Sequence, residues 1–205
     1  MQKVISILFK IIRRLYLQVK NITIEIYCYI QFFIHNVKFK SFNSNGIPFV
    51  SIGISGKCSI GSGFKMNNGL EGNPIGRPQR CVFFVDNGAI LSIGQNVGIS
   101  STAIVVHLSI TIDDNVKIGG GTCIYDTDFH SLNPLVRIDS KSDATNKICK
   151  PVHIRNNVFI GAHSTILKGV TIGENSIIGA CSVVSKNIPA NEIWAGNPAR
   201  FLKSC

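Results

Sequence analysis

The sequence is poor in acid. Its 205 residues carry 11 Asp and Glu against 21 Lys and Arg, a formal net charge of +10. The deficit is concentrated: residues 1–40 hold seven basic residues (Lys3, Lys10, Arg13, Arg14, Lys20, Lys38, Lys40) and one acid, Glu25, so this segment carries +6 of the total. Nothing in that basic stretch resembles a nucleic-acid-binding module, and a nucleic-acid partner is not expected. Clean apolar runs are also missing. Lys10, Arg13 and Arg14 break the first 20 residues, and no small-residue cleavage site follows, which speaks against a secretory signal. Glu25, Gln31 and His35 break residues 21–37, so a membrane-spanning helix is not favoured. The seven cysteines include no C-x-x-C and are odd in number, which argues against a zinc site or a disulfide framework. They read as reduced residues of a cytosolic protein.

Helical periodicity is confined to the start of the chain. Ile5, Leu8, Ile12, Leu15 and Val19 recur at spacings of three and four, which predicts a helix over residues 1–20. Such a helix packs on the body of the protein or a partner subunit, or attaches peripherally to anionic lipid. Residues 21–40 are ambiguous between helix and strand.

Beyond that the period is six. An aliphatic residue stands at Ile154, Ile160, Ile166, Ile172, Ile178 and Val184. Small or β-branched residues run two positions ahead, at Val152, Val158, Ser164, Val170, Ser176 and Ser182. Six is three strand periods, so each hexad is a short strand plus a turn, and three hexads close one triangular coil of a parallel β-helix. Coils stack at the strand spacing of about 4.8 Å, which sets like residues on like. Gly and Asn at the corners tolerate positive φ. Cys58, Cys123 and Cys181 fall at or beside small-residue positions. The same lattice is expected at Ile54, Ile60 and Met66, with Ile52, Cys58 and Phe64 ahead of them. It resumes at Ile93, Ile99 and Val105, with Leu91, Val97 and Ala103. After a slip of one residue near His107 it runs Ile112, Ile118 and Ile124, with Ile110, Val116 and Thr122.

This pattern divides the chain into an N-terminal appendage at 1–45, a β-helix at 46–186 and a tail at 187–205. Two stretches interrupt the hexads: a loop at 67–80, whose Arg77 and Arg80 are candidate substrate contacts, and a long insertion at 125–151. A loop of that length in a repetitive scaffold is usually functional. It holds Asp126-Thr127-Asp128-Phe129-His130. His130 is the candidate general base, because imidazole exchanges a proton at cellular pH and Asp128 or Asp126 could orient it. No serine nucleophile elbow or Cys–His motif competes, so base-catalysed direct transfer is the natural chemistry.

The hexads, the D-T-D-F-H insertion and the tail Ile193-Trp194-Ala195-Gly196-Asn197-Pro198-Ala199-Arg200 resemble the hexapeptide-repeat acyltransferases. The closest likeness is to the maltose and galactoside O-acetyltransferase branch and to relatives that acetylate bacterial surface polysaccharides. The resemblance covers about residues 50–203. It implies a left-handed parallel β-helix, a homotrimer with sites between subunits, acetyl-CoA as co-substrate, no metal, and a sugar acceptor beside the loop. On matching positions His130 is the base. Phe159, Ala162, Ala180, Ser185, Lys186 and Arg200 meet the cofactor, the small residues through backbone and the basic ones at phosphate. The location implied is cytoplasmic, at the inner face of the membrane if the N-terminal segment attaches there. The N-terminal 40 residues differ from the short helical cap of the galactoside enzymes, so the acceptor is open. An N-acetyltransferase acting on an amino sugar or nucleotide sugar would use the same base and groove, and a non-catalytic coil would use neither. A γ-type carbonic anhydrase needs a histidine pair five apart, whereas His107, His130, His153 and His163 are separated by 23, 23 and 10 residues.

Overall fold

A computed structural model describes residues 2–73, 75 and 78–205. Arg77 lies outside the described residues, while Arg80 is exposed beside the sheet that follows it. The chain forms a left-handed parallel β-helix whose three walls are parallel sheets. Sheet 1 contains Lys38–Phe39, Lys57–Ile60, Ile90–Ile93, Ser109–Ile112, Val152–Ile154 and Thr171–Ile172. Sheet 2 contains Phe42–Asn45, Phe64–Asn67, Gly98–Ser100, Lys117–Ile118, Phe159–Ile160 and Ile177–Ile178, and ends in Glu192–Ala195 and Arg200–Ser204. Sheet 3 contains Phe49–Ile52, Val82–Val85, Ala103–Val106, Cys123–Tyr125, Thr165–Ile166 and Val183–Val184.

The six-residue lattice becomes the core. Ile154 pairs with Ile172, Ile160 with Ile178 and Ile166 with Val184, each one full coil apart. All six are fully buried, and Val158, Ser164, Val170, Ser176 and Ser182 are buried ahead of them. The buried serines find backbone acceptors: Ser164 Oγ and Ser182 Oγ donate to the Gly179 carbonyl, and Ser176 Oγ donates to Pro189 O at 2.6 Å. A small polar residue thus fits under the corner without leaving an unpaired group.

The corner between sheets 1 and 2 carries a ladder of asparagines. Asn96, Asn115, Asn157, Asn175 and Asn191 all have φ between 55° and 62°. Each side-chain amide donates to the carbonyl oxygen of the next, from Asn96 to Asn115 at 3.3 Å down to Asn175 to Asn191 at 2.8 Å. Asn is among the few residues with a Cβ that visits this backbone region routinely, and its amide can both give and accept.

Three boundaries differ from the hexad count. Lys38–Phe39 and Phe42–Asn45 pair in register with the second coil, so the β-helix begins at Lys38 rather than at 46. Short strands rich in Phe, Lys and Asn hide their membership, because in this coil Ser44 takes the inner place above Met66. Ile54 is fully exposed at 105%, while Val50 is buried over Phe83. The chain turns at Gly53–Gly56, so this corner is longer than a hexad allows. Ile104 takes the inner position expected of Val105, pairing with Ile124 and Phe83. The corner at Ser100–Thr102 is one residue short and the corner at His107–Leu108 is two residues long. Counted from Ile99 to Ile112, these two changes sum to the single slip seen in the sequence.

Both ends of the prism are covered. Helix α1 (Gln2–Ile34) lays Ile24, Cys28 and Phe32 over the first coil, where Phe32 meets the rings of Phe39, Phe42 and Phe83 at 5.0–6.2 Å. This is not the face that the Ile5–Val19 periodicity marks, which remains exposed. At the other end Glu192–Ala195 continues sheet 2 and Arg200–Ser204 folds back antiparallel on it, so the tail is a capping hairpin. Trp194 stacks over Ile178 and donates Nε1–H to Glu192 at 2.6 Å. All seven cysteines are free thiols. Burial pushes the Cys58 and Cys81 thiols up to about 12, which keeps them protonated and unreactive. Cys181 is exposed at a corner with φ 58° rather than buried.

The Asn ladder gives a test of the stacking. Asn157→Ala should cost about 2–3 kcal/mol, the sum of αL strain and lost amide bonds. Asn157→Gly should recover the strain portion. Urea unfolding midpoints of the two variants against wild type check the difference.

Candidate active site

The insertion leaves the prism at the corner between sheets 3 and 1. Its neck is a short antiparallel bridge, Thr127 opposite Cys149, tied by Lys150 N–H to Asp126 O and Asp128 N–H to Ile148 O. Inside the neck the fully buried Asp126 accepts from the backbone N–H groups of His107 and Leu108, both at 2.8 Å. Its carboxylate therefore braces the long corner of the neighbouring coil and does not reach His130. Asp128 turns the other way and pairs with Lys168 Nζ at 2.7 Å.

Two short helices complete the loop. Helix α2 (Pro134–Arg137) is capped by Asn133, which accepts from Leu135 N–H. Helix α3 (Ser140–Asn146) is capped by Asp139, which accepts from Ser142 N–H at 2.8 Å. That cap sets Asp143 on the inner side of α3. Asp143 Oδ2 lies 2.6 Å from His130 Nδ1, and its Oδ1 accepts Ser131 N–H at 2.6 Å. Donation from His130 and then from Ser131 N–H, with the Arg137 charge nearby, holds the Asp143 carboxyl below the ordinary carboxylate value. The carboxylate partner of His130 is thus Asp143, not Asp128. Its signal in the sequence is the cap Asp139 four residues before it, but the pairing depends on how two one- or two-turn helices fold back. Arg137 Nη1 donates to Ser131 O at 2.9 Å and closes the loop on itself.

An ionised Asp143 at Nδ1 favours the tautomer with the proton on Nδ1, leaving the Nε2 lone pair free. The His130 side chain is 68% exposed, whereas Asp143 is buried beneath it. The arrangement is an imidazole oriented through Nδ1 whose ring is largely open to solvent.

Below the loop lies a second polar group. His107 Nδ1 is 2.7 Å from Asp86 Oδ2 and 2.9 Å from Lys147 Nζ. Partial burial would raise the Asp86 carboxyl, but donation from Asn87 N–H and His107, with the His107 and Lys147 charges, takes it below its ordinary value. The rings of Phe84 and Phe129 stand 5.5 and 6.1 Å from that of His107. This group ties the loop to two coils. Its one signal in the sequence is the position of His107 at a corner.

The residues matched to cofactor positions fall on two edges of the prism. Phe159 faces outward on sheet 2, half-exposed. Ala162 and Ala180 lie one above the other at the corner between sheets 2 and 3, where Cys181 N–H donates to Ala162 O. Glycines keep this corner tight: a Cβ on Gly119 or Gly161 would strike the backbone of Ala162 or Ala180 in the next coil. The N–H groups of Ala162 and Ala180 make no hydrogen bond among the described residues. Arg200 is exposed opposite Ala195 at the end of the same sheet. Ser185 and Lys186 instead follow sheet 3, at the corner from which the His130 loop emerges, and both are exposed. Within one chain, sheet 3 separates the alanine corner from the His130 corner. Spanning its strand and flanking residues takes about 15 Å at the strand rise.

Fold and site together define a left-handed β-helix of hexapeptide repeats bearing a histidine loop. Residues 151–186 match the family model described as bacterial transferase hexapeptide (six repeats), so the C-terminal coils are similar to the repeats of that family. A hexapeptide-repeat acetyltransferase of Vibrio cholerae is 36% identical over 56% of this chain and 62% of its own, with a TM-score of 0.51. The chain thus spans less than two thirds of that relative. A maltose O-acetyltransferase of Clostridium difficile is 26% identical over 81% of this chain and 67% of its own, with a TM-score of 0.50. An AntD N-acyltransferase variant of Bacillus cereus, solved with dTDP and coenzyme A, shares the fold at a TM-score of 0.61 and 21% identity, covering 82% of this chain and 83% of its own.

The depressed Asp143 pKa has a consequence for pH. A carboxylate held below its unfolded value adds stability that is full above that value, 3.8, and is lost as pH falls through the folded one. Asp143→Asn should therefore flatten the acid side of the Tm–pH profile below about pH 5. A profile that keeps its wild-type shape would contradict the pairing.

Proposed function

We propose that this protein is an acetyl-CoA-dependent O-acetyltransferase that moves an acetyl group to a sugar hydroxyl, in surface polysaccharide biosynthesis, with His130 as general base. The observation that carries the reading is the His130–Asp143 pair on a loop of a hexapeptide coil. The likeness to solved acetyltransferases supports it, as do the N–H groups of Ala162 and Ala180, which make no hydrogen bond among the described residues.

The step follows from the pair. Nε2 of His130 takes the proton of the acceptor hydroxyl as that oxygen attacks the thioester carbonyl carbon. The carbonyl oxygen, now negative, is stabilised by a backbone N–H. The tetrahedral centre collapses, the C–S bond breaks and the imidazolium returns its proton to the departing sulfur. Asp143 stabilises the imidazolium between the two transfers and holds the ring in one tautomer. The thioester arm would run along the alanine corner, where the small side chains let it reach backbone. Arg200 and Lys186 would meet phosphate as point or forked charges. Since the alanine corner and His130 sit on opposite edges of sheet 3, a site using both takes them from two copies of the chain. In the homotrimer that the resemblance to hexapeptide-repeat acyltransferases implies, each site would be shared between neighbours.

His130→Ala should lower acetyl transfer by roughly 10²–10⁴-fold, the loss expected of a general base, with coenzyme A affinity by calorimetry little changed. The assay follows free thiol release from acetyl-CoA with a panel of sugars and their amino analogues. Asp143→Asn should lower kcat in the same direction, whereas Asp128→Asn should not. A near-normal rate in His130→Ala, or a clear preference for the amino analogues, would overturn the proposal. Lys186→Ala and Arg200→Ala should raise the KM for acetyl-CoA and leave kcat near wild type.

A further inference from the structure

Helix α1 presents two faces of opposite character. Val4, Leu8, Ile11, Leu15, Val19, Ile22, Ile26, Ile30 and Phe33 recur at three- and four-residue steps and form one stripe along the whole helix. Each is between 48% and 74% exposed. The buried seam against the coil is Ile24, Cys28 and Phe32, which lies about 150° around the helix from that stripe at 100° per residue. Lys3, Lys10, Arg13, Arg14 and Lys20 lie on the seam side, and no acid occurs before Glu25. Residues 2–12 precede Arg13, which lines a hollow with Asn45 of the first coil, and run for about 17 Å at the helical rise.

We infer that α1 is an interfacial anchor that lies flat on an anionic lipid surface, with its stripe in the acyl boundary and the β-helix held on the solvent side. Three observations favour a lipid surface over a second copy of the chain. Val4, Leu8, Ile11 and Leu15 are each more than half exposed, so a flat surface can cover this part of the stripe, whereas Val19 borders a hollow with Ile47, and Ile26 and Ile30 line one with Phe39 and Phe42. The apolar arc, widened by Ile5, Phe9, Ile12 and Tyr16, is broader than the narrow seam of a coiled coil. Lys3, Lys10, Arg13 and Arg14 stand in a segment with no acid before Glu25, which suits anionic headgroups and gives the same segment of a second copy no opposite charge to offer. No helix among the described residues is long and apolar enough to cross a membrane, so the contact is one of surface. A broad apolar face with Lys and Arg on the other is the pattern of helices that lie in the interface plane. The inference is independent of the acyl-transfer reading.

The test is flotation of the full-length protein with vesicles of phosphatidylcholine, with and without phosphatidylglycerol. The protein should float with the mixed vesicles and largely stay behind with phosphatidylcholine alone or at high salt. Leu8→Gln/Leu15→Gln/Val19→Gln, all at exposed positions, should abolish flotation while far-UV circular dichroism and the mass by sedimentation stay unchanged. Arg13→Gln/Arg14→Gln should weaken binding roughly thirtyfold. Undiminished flotation of the triple variant would overturn the inference. So would a fall in its sedimentation mass, which would make the stripe an interface between copies.

Discussion

Everything in this molecule depends on the registered stacking of one coil on the next. The chain returns to the same lateral position after three hexads, and the backbone hydrogen bonds of three sheets hold it there at about 4.8 Å. Because that spacing is fixed, each side chain meets its own kind one coil away: isoleucine over isoleucine on the inner face, asparagine over asparagine at one corner. The constraint explains what is forbidden as well. A Cβ on Gly161 or Gly173 would overlap the backbone of the following coil, so these positions are empty for the same reason that the isoleucine columns are full.

The candidate site exists where that regularity is broken. A coil that repeats without a change offers smooth walls and no concave polar surface. Here the corner between sheets 3 and 1 is lengthened at His107 and then opened entirely after Tyr125. The buried Asp126 carboxylate joins the two departures by accepting both corner amides. On that brace the loop builds a small independent structure, with two capped helices whose purpose is visible in one contact, Asp143 to His130. The alanine corner is the opposite case. There the coil stays regular, and small side chains leave the backbone accessible. A rigid, repetitive groove and a folded loop are the two kinds of surface that the proposed two-substrate transfer would need.

The fold was largely legible because local sequence distance maps directly onto space in a β-helix. Ile154 to Val184 could be assigned one by one, since each inner residue is fixed by its neighbours six away. The reading failed where corners changed length. The short corner at Ser100–Thr102 and the long one at His107 nearly cancel, so a count of spacings showed one slip and misplaced Val105. At α1 the most periodic apolar face, expected to pack on the body or a partner or to meet lipid, does not pack on the coil. The coil selected the less regular seam of Ile24, Cys28 and Phe32, because those residues fit between the phenylalanines of the first coil.

The sequence by itself determined the coil, the place of the insertion and the identity of its histidine. These follow from period, from the loss of period, and from the single imidazole in that loop. Tertiary structure alone decided the partner of that imidazole and the separation of the alanine corner from it. Asp128 is two residues from His130 and Asp143 is thirteen, yet the nearer carboxylate is drawn off by Lys168 and the farther one is carried in by a helix cap. Which charges pair in a non-repeating loop depends on backbone direction, and six-residue spacing carries no information about that.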